Sequence, residues 1–292
     1  MCRQAPLVSH LLFADDCIVF CNASKEEGDR VTKILETYEK ESGQKLNREK
    51  TSLFFSKNTS EEVREEVKDM FGAQIIHQHE RYLGLPPLVG RGKKKAFHCI
   101  LDQVGRKVGS WKGKLLTMAS REILIKVVAQ ATPMYTMNCF KLMDSLCNEL
   151  NSLIRNFWWG QREKERKLAW LAWEKMCIPK SEGGGMGFKD LKAFNLALLA
   201  KQGWHLTQNT ESLAHRVLKA RYFPNSNFLK AQIGKNPSYT WRSLMAAQEV
   251  LQRGLRWNIG NGSKQRYRQI GGSQSQILSW LQVRGPKILR VN

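Results

Sequence analysis

The sequence predicts an α+β fold in which a small module of strands and helices precedes a longer, mainly α-helical part. Three observations predict it. The first is an apolar run, Leu11-Leu12-Phe13-Ala14-Asp15-Asp16-Cys17-Ile18-Val19-Phe20, split by two adjacent aspartates. It reads as two short buried strands meeting in an antiparallel hairpin, bounded by His10 before and Asn22-Ala23-Ser24 after. The second is an alternation of helical and strand patterns between residues 24 and 72, the plan of an α+β unit. The third is apolar spacing of helical period in one segment after another from Lys93 onward.

The elements follow in order. Ser24 is the N-cap of a first helix, and Glu27 stands where a capping box needs it. Val31, Ile34, Leu35 and Tyr38 give that helix one apolar stripe, and Gly43 ends it. Thr51 to Ser56 reads as a strand through Leu53, Phe54 and Phe55. A second helix starts at Thr59 or Ser60, presents Val63, Val67 and Met70, and closes at Gly72. Pro86-Pro87 and Gly90-Arg91-Gly92 mark a boundary.

Lys93, Lys94 and Lys95 open a helix that runs to about Gly109. The next, over Thr117–Ala131, sets Ile123, Val127 and Val128 against Arg121 and Lys126, and Pro133 ends it. A third, over Asp144–Trp159, carries Leu146, Leu150, Leu153, Ile154 and Phe157 at helical spacing. Gly160 to Lys167 is a charged linker. Beyond it, Trp170, Trp173 and Trp204 are expected as core anchors of a further helical part, a base-stacking platform being the other reading, with helices over 189–208 and 238–252. Gly183-Gly184-Gly185 lacks the Lys-Ser/Thr of a phosphate-cradling loop and reads as a plain turn. The expected division is therefore 1–88, 89–160, 161–264 and a divergent basic tail, 265–292.

Composition narrows the function classes. The chain has 292 residues, 42% of them hydrophobic, enough to bury a core and to exclude a disordered polymer. Lys and Arg number 47 against 26 acidic residues, a net charge of +21, which points to a polyanionic partner or to a solvated basic surface. The charge is uneven: residues 1–60 carry nine basic and nine acidic residues, 81–130 eleven against two, and 231–292 ten against one. The acidic pair thus lies in a neutral stretch, and the cations that could grip phosphate follow it.

Seven cysteines form no Cys-x-x-Cys, so neither a zinc site nor a disulfide framework is expected. Cys17 and Cys21, four apart on a strand, are expected in the core. The sequence shows no signal peptide and no run of 18 apolar residues. An intracellular location, nuclear or cytoplasmic, is the expectation.

Two carboxylates inside an apolar hairpin are costly unless compensated, because a buried ionised group loses several kcal/mol of hydration. A divalent cation is one compensation, and carboxylate oxygens suit Mg²⁺. An acidic β-turn is the other reading, since Asp is a common turn residue.

Phe13-Ala14-Asp15-Asp16, then Gly43-Gln44-Lys45-Leu46-Asn47-Arg48-Glu49-Lys50-Thr51, then Tyr82-Leu83-Gly84-Leu85-Pro86, resemble in order and spacing the last three palm motifs of plant non-LTR (LINE-type) retrotransposon reverse transcriptases. Ser110-Trp111-Lys112, Phe157-Trp158-Trp159-Gly160, Ser181 to Phe188 and Trp257 to Gly262 resemble that family's C-terminal region. The resemblance covers roughly residues 8–264.

It implies a partial reverse-transcriptase palm, an antiparallel hairpin plus helices, followed by a mainly α-helical thumb and C-terminal modules. It implies template-directed nucleotidyl transfer with Mg²⁺. Asp15 and Asp16 would be the catalytic, metal-binding carboxylates, Asp16 the weaker ligand because adjacent strand positions face opposite sides. Lys50 would stand near the departing phosphate; a solvated loop lysine is the other reading. Tyr82, Leu83 and Gly84 would form the primer grip, with Gly84 allowing close backbone approach. Lys93, Lys94, Lys95, Arg106, Lys107, Lys112 and Lys114 would hold nucleic acid, against the alternative of an ordinary helical bundle with solvated lysines. The partners implied are an RNA template and a DNA primer.

The departure from the family lies upstream. A two-metal site needs carboxylates from separate strands, yet the 14 residues before Asp15 hold no acidic residue. Asp29 and Asp69 fall on expected helices and are poor substitutes. Fingers, a nucleotide pocket and an endonuclease are also missing, so productive dNTP binding is not expected. For an RNase H site, only Glu249 lies beyond Glu211. The expectation is a catalytically incomplete polymerase fragment, with a non-catalytic RNA- or DNA-binding protein as the alternative. The partial palm would leave a sheet edge unpaired. In the tail, Gln269-Ile270-Gly271-Gly272-Ser273-Gln274 stands where the family continues Asp-x-Trp-Leu-Pro; a codon string for it read in another frame restores that pattern, so the tail reads as a frameshifted remnant.

Overall fold

Local rules place the first elements. In the computed structural model, which describes residues 5–56, 58–76, 83–86, 89, 92–111, 114, 116–160 and 168–255, the chain opens on two strands, β1 (His10–Phe13) and β2 (Asp16–Val19). They pair antiparallel with His10 opposite Val19 and Phe13 opposite Asp16. Helix α1 (Lys25–Ser42) follows, capped by the Ser24 hydroxyl, which accepts from the Glu27 amide at 3.3 Å. Gly43 at φ 70° ends it in the left-handed cap that glycine favours. Helix α2 (Glu61–Phe71) ends the same way at Gly72, φ 57°.

The second sheet was not legible in advance. β3 is only Ser52–Leu53, shorter than the expected strand, and it pairs in parallel with β4 (Gln74–Ile75). The two sheets are separate, two strands each, so among the described residues the hairpin has no third strand and both its outer edges are unpaired. Among the described residues up to 76, only Gly28, Val67 and Ala73 are fully buried. Gly28 lets α1 lie on α2, because a Cβ there would meet the Met70 sulfur at 2.7 Å. The stripe expected on α1 is only half covered, with Ile34 67% exposed.

The main core belongs to the helices that follow: α3 (Lys93–Trp111), α4 (Met118–Leu124), α5 (Met134–Cys139), α6 (Asp144–Trp159), α7 (Trp173–Cys177), α8 (Leu191–Gln208), α9 (Leu213–Tyr222), α10 (Tyr239–Ala246) and α11 (Gln248–Gly254). The architecture is α+β with the helices dominant. One cluster of buried side chains runs from Phe97, Val104 and Val108 through Ile125, Leu150, Ile154 and Phe157 to Phe188 and Leu191. Burying each such side chain contributes roughly 1.5–3 kcal/mol. Between α4 and α5 the helix widens into a π turn, Ile125–Ala129, where the Gln130 amide donates to the Ile125 carbonyl. The helix expected over Thr117–Ala131 is thus continuous from Met118 to Ala129, its second half wound as the π turn. The turn buries Ile125 and Ala129 and sends Gln130 inward.

Polar side chains tie α8 and α10 to the α5–α6 corner. Asn195, 2% exposed, accepts from the Leu142 amide at 2.8 Å and donates to the Met137 and Phe140 carbonyls. Ser243 accepts from the Lys141 amide, and the Tyr239 hydroxyl donates to the Lys141 carbonyl. Gln130 exchanges two hydrogen bonds with the backbone of Lys189, at 3.1 and 3.2 Å. Among the described residues no helix is long and apolar enough to cross a membrane.

Candidate functional site

The acidic pair sits at the exposed tip of the hairpin. Phe13 pairs with Asp16, which leaves Ala14 and Asp15 as a two-residue loop. Ala14 adopts φ 51°, a region that favours glycine. The strands on either side are not buried as the sequence suggested: Leu12 is 70% exposed, Phe13 61%, and Cys17 and Cys21 are exposed too. Among the described residues no further strand pairs with this run, and its hydrophobicity did not translate into burial.

This changes the electrostatics. Asp15 and Asp16 are exposed and hydrated, and among the described residues neither makes an ion pair or a side-chain hydrogen bond. The desolvation cost that would call for a cation is absent. Among the described residues no group of three or more His, Cys, Asp or Glu side chains comes together at metal-binding range. Two adjacent carboxylates alone do not fit a Mg²⁺ pair, which needs ligands from separate strands.

The remaining expected residues are scattered. Lys50 is exposed in a turn held by Asn47, whose side-chain oxygen accepts from the Lys50 amide at 3.1 Å; no described contact brings it to the aspartates. Leu83 at φ 51° and Gly84 at φ 76° form a left-handed turn. Nothing of the chain lies within 4 Å of a Cβ built on Gly84, and its φ angle is one that glycine favours. Tyr82, Lys112, the Trp257–Gly262 motif and the tail 265–292 lie outside the described residues, as does the side chain of Lys95.

On α3 several cations are engaged within the protein. Lys93 lies 5.0 Å over the Tyr239 ring, Lys94 pairs with Glu149 at 3.7 Å, and Lys107 donates to the Thr132 hydroxyl at 3.2 Å. Arg106 and Lys114 are exposed.

A second basic surface was not among the expected site residues. Residues 189–253 hold ten Lys or Arg against three acidic residues. Asp190 is used as the N-cap of α8, accepting from the Lys192 and Ala193 amides, and Glu249 pairs with Arg253. Lys201, Arg216, Lys219, Arg221 and Arg242 are exposed there. The signal was available in the charge count, but it named no face.

The tryptophans divide in a way that spacing did not show. Trp173 is 7% exposed and stacks on Phe188 at 5.5 Å, as expected of a core anchor. Trp170 and Trp204 are 78% and 41% exposed, which corrects the expectation for both.

The glycine-rich stretch is a tight return loop. Gly183 and Gly187 have φ 74° and 67°. Gly185 backs onto the chain so closely that a Cβ would meet the Lys175 carbonyl at 2.1 Å. The Met186 and Phe188 amides both donate to the Met176 carbonyl. Beside it Glu122 receives Lys126 at 2.7 Å and Lys180 at 2.9 Å, and those hydrogen bonds hold its carboxyl below the usual glutamate range. The six described cysteines are free thiols; burial pushes Cys147 and Cys177 up to about 11, leaving them protonated and unreactive.

No family model matches the chain. Two curated proteins of Arabidopsis thaliana are similar to it. One, "Putative ribonuclease H protein At1g65750", is 35% identical over 189 residues, 63% of this chain and 30% of that protein, so the chain spans less than a third of that relative. The other, "Uncharacterized mitochondrial protein AtMg00310", is 46% identical over 132 residues, 45% of this chain and 86% of that protein. With most of that second relative matched at such identity, the chain belongs to the plant protein family of AtMg00310.

Proposed function

We propose that this chain derives from the polymerase polypeptide of a plant non-LTR retrotransposon, that its 292 residues do not catalyse nucleotidyl transfer by themselves, and that its helical part binds nucleic acid. The ordered motifs from Phe13 to Pro86 support the origin, and so does similarity over 63% of the chain to a protein named for ribonuclease H. One observation carries the lack of activity: Asp15 and Asp16 stand exposed on a lone hairpin with no third carboxylate near them among the described residues. The excess of cations beyond residue 81, combined with a well-packed helical core, supports a nucleic-acid grip.

The test is primer extension and binding on the full chain. With a primed RNA template, Mg²⁺ and dNTPs, no extension is expected, and Asp15→Ala changes nothing. RNA and DNA binding is expected to weaken steeply with salt and to survive Asp15→Asn together with Asp16→Asn. Extension that Asp15→Ala abolishes would overturn the first part; binding that is absent at low salt would overturn the second.

A further inference from the structure

The outer face of α8 is built differently from every other described helix face that carries a tryptophan. Lys201, Trp204, His205 and Gln208 fall at i, i+3, i+4 and i+7 and are all exposed. Toward the helix start the same face continues with Ala197 and Ala193, also exposed. The opposite side of the helix is fixed: a Cβ on Gly203 would meet Phe228 at 2.7 Å, and Leu199 and Leu206 are buried. The Trp204 backbone is thus held in place while the residue stays 41% exposed.

The buried indoles are all used. Trp158 packs edge-on against Phe188, Trp173 stacks on Phe188, and Trp241 stacks on Tyr222 at 4.6 Å and on Phe223 at 5.6 Å. Trp204 meets no aromatic ring among the described residues and is not needed to fill the core.

We infer that this stripe is a stacking platform for a single-stranded nucleic acid, with Trp204 taking a base and Lys201 a neighbouring phosphate. The inference rests on the nucleic-acid-binding part of the function proposed above and names its site. Charge selects the ligand: the 189–253 segment is net positive by seven (ten basic residues minus three acidic), and two of its three acids are engaged elsewhere. His215 donates from Nδ1 to the Leu206 carbonyl at 2.6 Å, which places the start of α9 beside the last turn of α8. Arg216 and Lys219 extend from that helix, exposed, to follow a backbone. An indole face can stack only on an unpaired base, because duplex bases are already stacked on one another, so the strand is single.

The experiment measures binding of the full chain to a labelled oligo(U) of about 20 nucleotides and to a blunt RNA duplex of the same length. Trp204→Ala is expected to weaken oligo(U) binding about fivefold to a hundredfold, to leave duplex binding unchanged, and to be largely rescued by Trp204→Phe. Lys201→Gln is expected to lower the salt dependence by about one phosphate contact. Thermal unfolding of each variant checks that the fold is kept. Wild-type binding with Trp204→Ala indistinguishable from it overturns the stacking platform but leaves the proposed function standing. Loss of both ligands to the same degree also overturns it. A chain that binds neither ligand overturns both readings. A solution dimer that Trp204→Ala dissociates, with oligo(U) binding intact, assigns the stripe to a second copy and overturns the proposal as well.

Discussion

Arg121 donates from Nη1 to the Trp158 carbonyl at 2.6 Å, and from Nε to the Leu116 carbonyl at 3.3 Å, from a position only 6% exposed. No carboxylate pairs with it among the described residues. Its counter-charge is the end of α6, where unpaired carbonyls and the helix dipole present negative charge. Burial lowers its pKa, yet an arginine stays protonated at any physiological pH.

Arg121→Met should therefore cost about 2–3 kcal/mol, because it strands the Trp158 carbonyl in the core. Arg106→Met, on the exposed side of α3, should stay within about 0.5 kcal/mol of wild type. Urea unfolding of the two variants checks the contrast; equal losses would mean that the end of α6 does not need the guanidinium.

Gly185→Ala should destabilise by about 3 kcal/mol or prevent folding, since its Cβ would be driven against the Lys175 carbonyl. Gly109→Ala offers the control. It lies inside α3 with nothing within 4 Å of a Cβ, so the substitution should stabilise by about 0.5–1 kcal/mol. Thermal melts read both signs.

Ala14→Gly should relieve the positive φ at the hairpin tip by about 1 kcal/mol. The hairpin buries little, so the gain is expected in slower amide exchange of residues 17–20 and not in the global melting temperature. Unchanged exchange would mean that the tip does not hold this turn in solution.

Glu122 supplies a pH-dependent contribution. Its folded pKa lies below the unfolded value because Lys126 and Lys180 hydrogen-bond the carboxylate. Stability from this group is therefore present above the unfolded pKa, about 4.3, and is lost as pH falls through the lower folded value. Glu122→Gln should flatten the acid limb of a stability-against-pH curve below about pH 4.3 and leave its slope at pH 7 alone.

Some of this was legible in the residues. Ser24 with Glu27, Gly43 and Gly72 mark helix ends because capping is settled within one turn of chain. Helix α6 occupies the residues its apolar spacing predicts, Asp144–Trp159, since Leu146, Leu150, Ile154 and Phe157 all find the core. The hairpin was readable, but its register and the burial of its strands were not. Apolar character states a preference for cover, and whether cover exists depends on other segments.

The candidate site divides along the same line. The sequence by itself determined the acidic turn, the excess of cations and the helix boundaries that caps enforce, all of which are properties of neighbouring residues. Only the tertiary structure decided that Asp15 and Asp16 stand in water, that Trp173 is core while Trp204 faces solvent, that Gly185 must lack a side chain, and that Arg121 is buried against α6. Exposure and counter-charge at those positions are set by what packs beside them, ten or more residues away in the chain, and a one-dimensional pattern carries no record of that neighbour.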